Sequence, residues 1–172
     1  MKVAIIGAGS LGQSIGKGLL KNNVVSSLYL TKRNTDSIKD FNNYDEVVLT
    51  SDNSEAVINS DILIFAVQPR HFNRILESIV PHLNKDHVLI SVITGFSIAK
   101  IEAIVSEDIS IIRSMPNTAA SVAQSMTCLS PNSKGKEKVS NMIKVATLTR
   151  KGFMGGDIST VMSPRTVLHW AE

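Results

Sequence analysis

Met1-Lys2-Val3-Ala4-Ile5-Ile6-Gly7-Ala8-Gly9-Ser10-Leu11-Gly12-Gln13-Ser14-Ile15-Gly16 is the stretch whose reading decides the fold. The apolar run Val3 to Ile6 predicts a short buried strand that stops at a glycine turn, and a helical pattern follows at once. Between them, Gly7-Ala8-Gly9-Ser10-Leu11-Gly12 has the spacing G-x-G-x-x-G. Gly7 suits a tight turn, Gly9 lets backbone approach a pyrophosphate, and Gly12 lets the helix lie close to the strand. The phosphates then meet the helix N-terminus beside Ser10 and Leu11, where free N–H groups and the helix dipole favour negative charge. The spacing alone is common; between a strand and a helix it signals dinucleotide binding. Ser10 either bonds a phosphate or caps the helix, and the two roles are compatible.

Outward from this stretch the same alternation repeats. The first helix is expected from about Ser10 to Lys21, with Leu11, Ile15 and Leu19 on one face and Gly12 and Gly16 as a smooth neighbouring stripe. Strands follow at Val25 to Thr31, Val47 to Leu49, Asp61 to Val67, Val88 to Ile93 and Ile109 to Arg113, with a weaker one at Met126 to Leu129. Between them lie a short, poorly buried helix in Asp36 to Asp45 and a helix at Glu55 to Asn59 capped by the Ser51–Ser54 turn. A helix with Phe72, Ile75, Leu76, Ile79 and Val80 on one face comes next, then one capped by Ser97, then a polar one from Lys134 to about Val145. Strands alternating with helices predict an α/β, doubly wound, mostly parallel sheet of the Rossmann type. The nucleotide-binding domain is assigned residues 1–145, leaving 146–172 as an atypical tail.

Bulk properties exclude several other classes. With 43% apolar and 19% charged residues over 172 positions, the chain has the composition of a folded domain. Residues 1–131 carry 11 Lys and Arg against 12 Asp and Glu, and residues 132–172 carry 7 against 3. So thin a basic excess argues against a nucleic-acid partner. No apolar run approaches the roughly 20 residues that span a bilayer, so no membrane partner is expected. One cysteine, Cys128, excludes an internal disulfide framework and suits a reducing compartment. With a strand beginning almost at the N-terminus and no room for a leader, the expected location is cytoplasmic.

The nucleotide's identity turns on the end of the second strand. Where NAD-preferring folds place an acid for the ribose 2′-hydroxyl, this chain has Thr31, Lys32 and Arg33. A hydroxyl with two cations attracts a 2′-phosphate, and arginine's forked donors suit it. The cofactor expected is therefore NADPH (NADP+). The other reading of this segment is a surface turn with two solvated charges.

Four blocks at strand ends carry a family resemblance: the glycine turn with Leu11-Gly12; Asp52-Asn53; Ala66-Val67-Gln68-Pro69; and Arg113-Ser114-Met115-Pro116-Asn117-Thr118-Ala119. Over residues 1–140 or so the chain resembles the N-terminal domain of pyrroline-5-carboxylate reductase, and Ser91 to Phe96 matches that family's strand-and-glycine block. The Met-Pro-Asn-Thr run is the most specific part. The resemblance implies hydride transfer from NADPH to the C=N carbon of 1-pyrroline-5-carboxylate, giving proline. It puts Asn53 near the adenosine, Val67 to Pro69 near the nicotinamide ribose, and Asn117, with Thr118, near the nicotinamide and substrate; Ala66, Met115 and Pro116 are expected among the cofactor-binding residues. Gln68 departs from a lysine often found in the family. Asn117 is open to a second reading, as a turn residue after Pro116. No His–Asp or Cys–His pair is present, and a protonated imine needs mainly alignment and shielding from water.

The family continues into a helical domain that forms a homo-oligomer and closes over the substrate. From residue 146 the present chain instead resembles a short segment of the cobalt chelatase ATPase subunit, without any G-x-x-x-x-G-K-[ST] phosphate loop. A truncated cofactor domain that binds NADPH and turns over little substrate is therefore expected. A non-catalytic nucleotide-binding module or interrupted gene product, and another NADP-dependent reductase of the same fold, are the alternatives. The histidines His71, His82, His87 and His169 lack metal-ligand spacing and read as surface or helix-edge residues. Cys128 reads as an inert buried thiol.

Overall fold

Val3, Ala4, Ile5 and Ile6 are all at most 1% exposed, as strand residues must be when layers cover both faces of a sheet. A computed structural model describes residues 1–115 and 128–140, the side chain of Cys128 apart. The strands are β1 (Lys2–Ile6), β2 (Ser27–Thr31), β3 (Val47–Thr50), β4 (Ile62–Phe65), β5 (Val88–Ser91), β6 (Ser110–Met115) and β7 (Cys128–Pro131). They pair in the order β3-β2-β1-β4-β5-β6-β7. All pairings are parallel except the last, where β7 runs antiparallel to β6.

The helices are α1 (Ser10–Lys21), α2 (Asn53–Ile58), α3 (Pro69–Ile79) and α4 (Ile98–Val105), and residues 136–140 are also helical. Side chains of β1 divide between the two layers as strand alternation requires. Ala4 and Ile6 join Phe65 and the inner faces of α2, α3 and α4, including Phe72, Leu76, Ile79 and Ile101. Val3 and Ile5 join Leu20 of α1, with Leu28, Leu30, Ile38 and Phe41, on the other side. Phe72 anchors α3 by edge-to-face contacts with Phe65 and Phe96, ring centroids 5.5 and 4.8 Å away.

One expectation is refined and one corrected. The segment after β2 is a 3₁₀ helix, Thr35–Asn43, kinked at Ile38; six of its nine residues are exposed, as expected of a poorly buried helix, but Ile38 and Phe41 are each 2% exposed and anchor it. Two apolar residues three apart fall on one face of a three-residue turn, so a polar segment still seals one end of the core. His87 is buried, not a surface residue; its Nδ1 accepts from the Asn84 N–H at 3.0 Å while the His87 N–H donates back to the Asn84 carbonyl.

Asn132, to which the sequence assigned no role, fastens β7. Its Oδ1 accepts from the N–H groups of Ile111 (3.1 Å) and Gly135 (2.8 Å), and its Nδ2 donates to Glu102 Oε1 and the Ile109 carbonyl (both 2.9 Å). The expected strand at 126–127 and the tail from 141 onward, with Trp170 and His169, lie outside the described residues.

Candidate functional site

Strand order reverses between β1 and β4, and loops leaving adjacent strand ends on opposite sides open a crevice there. Two adjoining cavities of about 480 and 330 Å³ fill it. They share Gly9, Ala66, Val67 and Gln68 as a common floor. The larger reaches over the ends of β2 and β3, and the smaller over β4 and β5.

The glycine turn is held from below. The Gly7 N–H donates to Thr31 Oγ1 at 3.1 Å, and the Ala8 N–H to the Thr31 carbonyl at 2.8 Å. Gly7 has φ +96°, and a Cβ there would lie 2.5 Å from Val67 Cγ1. A Cβ on Gly12 would lie 2.5 Å from the Gly7 carbonyl oxygen, so α1 reaches the turn only without a side chain at that point. A Cβ on Gly9 would meet nothing within 4 Å. The protein itself leaves that space clear, and Gly9 lines both cavities. Gly9 is the N-cap and Ser10 the first helical residue, which corrects the reading of Ser10 as a cap. With no side chain capping α1, the first-turn amides that a helix cannot satisfy internally are left for solvent or a ligand.

Thr31, Lys32, Arg33 and Asn53 all line the larger cavity. Thr31 is only 2% exposed, however, and its hydroxyl is already the acceptor for Gly7. Lys32 is fixed by its N–H donating to the Thr50 carbonyl at 3.0 Å. Asn53 opens α2, beneath the Asp52 cap that accepts from the Ser54 and Glu55 N–H groups. Ser10, Leu11 and Pro69 line the smaller cavity together with Val92, Ile93 and Thr94. Gly12 lines neither; its work is the close packing of α1. Met115 ends β6, 42% exposed, and also lines neither cavity. Pro116, Asn117 and Thr118 lie outside the described residues.

Arg70, His71 and Arg74 of α3 line the larger cavity as well, and the sequence reading missed them. The available signal was an Arg-His-x-x-Arg run directly after a strand end and its proline. Partial burial and then the cations Arg70, Arg33 and Arg74 lower the His71 pKa from its ordinary value. No Asp or Glu lines this cavity. Among the described residues no group of three or more His, Cys, Asp or Glu is placed to hold a metal ion, and no helix is long and apolar enough to cross a membrane.

A glycine turn at the switch point of a doubly wound sheet, uncapped amides and cations at the β2 end together define a nicotinamide-dinucleotide-binding domain of the Rossmann type. Residues 2–95 match the family described as NADP oxidoreductase, coenzyme F420-dependent, and the chain belongs to that family. It is similar to pyrroline-5-carboxylate reductase 1 of Dictyostelium discoideum, 36% identical over 96% of this chain and 31% of that protein. Two solved structures are also similar. The pyrroline-5-carboxylate reductase of Coxiella burnetii has TM-score 0.73 at 28% identity, and the Plasmodium falciparum pyrroline carboxylate reductase with NADP bound has TM-score 0.69 at 25%. Each match covers 82% of this chain and 53% of the other. The chain thus spans from about a third to about half the length of the relatives it matches.

Proposed function

We propose that this chain is the cofactor-binding part of an NADPH-dependent imine reductase that converts 1-pyrroline-5-carboxylate to proline. The observation that carries the cofactor half is the acid-free larger cavity lined by Lys32 and Arg33, where an NAD-preferring fold keeps a carboxylate. The similarity to pyrroline-5-carboxylate reductases supports the substrate half. Bound NADPH supplies the hydride that reduces the C=N carbon.

The chain's own residues hold and orient. The first turn of α1, with Ser10 and Leu11, receives the pyrophosphate through backbone amides over the space left clear at Gly9. Asn53 and Ser51 flank the adenosine, and Lys32 and Arg33 meet the 2′-phosphate. Ala66 to Pro69, whose proline starts α3, lie beneath the nicotinamide ribose, with Val92 to Thr94 beyond them. Asn117 and Thr118 are assigned to the nicotinamide and substrate, and Met115 and Pro116 to the cofactor, on the resemblance alone. A protonated imine accepts hydride readily, so positioning and exclusion of water are the main contributions asked of the protein, worth up to ~7–11 kcal/mol of barrier.

Fluorescence titration of the purified chain should show NADPH bound more tightly than NADH; equal or reversed preference overturns the roles given to Lys32 and Arg33. Steady-state NADPH oxidation with 1-pyrroline-5-carboxylate tests the reaction. The crevice formed by the described residues is open above its floor, so turnover by this polypeptide alone should be far below the ~1 per second of an ordinary enzyme. NADPH binding with no turnover under any condition supports the non-catalytic module instead. The single cysteine supports a reducing, cytoplasmic location. A homo-oligomer, as in the family resembled, is checked by sedimentation.

A further inference from the structure

Arg70 and Arg74 lie one helical turn apart on α3, and with His71 they line the same cavity as Lys32 and Arg33 from the end of β2. On local grounds the arrangement is unfavourable. Like charges at i and i+4 repel, and Arg70 and His71 occupy a first turn, without acids, where the helix dipole disfavours cations. An ordinary solvated face would intersperse acids; α3 has one, Glu77, three residues beyond Arg74 yet in no salt bridge with it, and none beside Arg70. Nor do partners elsewhere neutralise the group: the one salt bridge among the described residues joins Lys134 to Asp108. The core does not demand these side chains either, because Phe72, Leu76 and Ile79 bury the other face of the helix. Several local rules broken at one cavity wall mark a functional site, where a ligand supplies the missing charge.

We propose that Arg70, Arg74 and His71 form with Lys32 and Arg33 a two-element subsite for the 2′-phosphate of NADP(H), so that α3 as well as the β2 end sets the preference for NADP over NAD. This rests on the dinucleotide reading and adds to it a specificity wall outside the glycine turn. Guanidinium forks bond phosphate oxygens in pairs, and arginines on consecutive turns present two forks to one anion. His71 completes the set as a third donor when it takes up a proton.

The test is affinity of the full chain for NADPH and NADH, measured by nucleotide fluorescence, for the wild type, Arg74→Ala and the double variant Arg70→Ala/Arg74→Ala. Both arginines are exposed, so neither change disturbs the core, and an unchanged melting temperature without nucleotide shows that the fold is intact. Losing one charged hydrogen-bonding partner should weaken NADPH roughly tenfold, and losing both roughly a hundredfold, with NADH changed less than about twofold. The double variant should also show a shallower dependence of NADPH affinity on salt. Unchanged NADPH affinity overturns the proposal. An equal loss of both nucleotides overturns it too, since that puts the arginines on the shared pyrophosphate. A wild-type chain that binds neither nucleotide overturns the dinucleotide reading itself.

Discussion

Replacing Thr31 by valine separates two roles for one hydroxyl. The sequence casts it as a ligand to the 2′-phosphate, whereas the structure engages it with the Gly7 N–H at 3.1 Å in a site 2% exposed. Valine keeps the shape and removes the acceptor, leaving that amide without its partner. An orphaned buried donor costs about 1–3 kcal/mol, and a middle value of about 2 is used here. For a domain of this size each kcal/mol moves Tm by about 2–4 °C, so Thr31→Val should lower Tm by about 4–8 °C. The turn that carries Gly9 loosens with it, so NADPH and NADH should weaken together, their ratio changing less than about twofold on the ~1.4 kcal/mol-per-decade scale. Thr31→Ser keeps the acceptor and should preserve the ratio and most of the stability. Calorimetry with parallel titrations of both nucleotides decides the matter. A Tm within about 1 °C of wild type, well below the shift calculated above, together with loss of NADPH alone, would refute the structural assignment.

Other expectations follow from the same contacts. Gly9→Val projects into empty space but puts a β-branched residue at the N-cap of α1, which costs about 1 kcal/mol, so Tm should fall by no more than about 2–4 °C, while both nucleotides lose most of their affinity. Asn132→Ala removes the acceptor for Ile111 and the donor to Ile109 at once, and urea denaturation should show a loss of about 2–4 kcal/mol. His71 has a pKa in the folded chain below its ordinary 6.5. The unfolded chain therefore binds the proton more readily, and stability should fall as pH drops from 6.5 through the folded value and be flat above it. His71→Gln should flatten that acid limb, and saturating NADPH should shrink it; melts from pH 5 to 8, which bracket the ordinary pKa, measure both.

The fold was largely legible because its signals are local and redundant. Val3–Ile6, the glycine turn and the face of α1 each point to strand, turn and helix, and α1 runs over the residues the pattern predicts. What the pattern overstated were strand ends. The apolar run Asp61 to Val67 yields only Ile62–Phe65 as strand, since Ala66 onward turns across the crevice toward Pro69. Hydrophobicity marks contact with the core, and half-buried Ala66 and Val67 still pack against it after the strand has ended. Thr35–Asn43 was read as a short, poorly buried helix, and only its anchors were missed: two buried residues in a polar stretch do not create a periodic signal, yet they close one end of the core.

At the site, legibility depended on whether a residue's job shows in backbone spacing or in side-chain company. Gly7, Gly9 and Gly12 were readable because their constraints are steric and come at fixed intervals along one turn. Thr31, Lys32 and Arg33 were readable as a group from their distance beyond that turn, but nothing in the spacing tells which of three neighbours points down. The contacts at the strand end decide it. Thr31, at the end of β2, pairs with Ile6 and sits under the glycine turn, so its hydroxyl serves Gly7 while Lys32 and Arg33 go on into the cavity. Arg70, His71 and Arg74 were missed for a different reason: the acid-free Arg-His-x-x-Arg run is visible in the sequence, but nothing along the chain tells what it faces. Only the sheet order, which carries the start of α3 to the switch point beside β1, turns those charges into one wall of a cavity whose other cations lie some forty residues earlier in the chain.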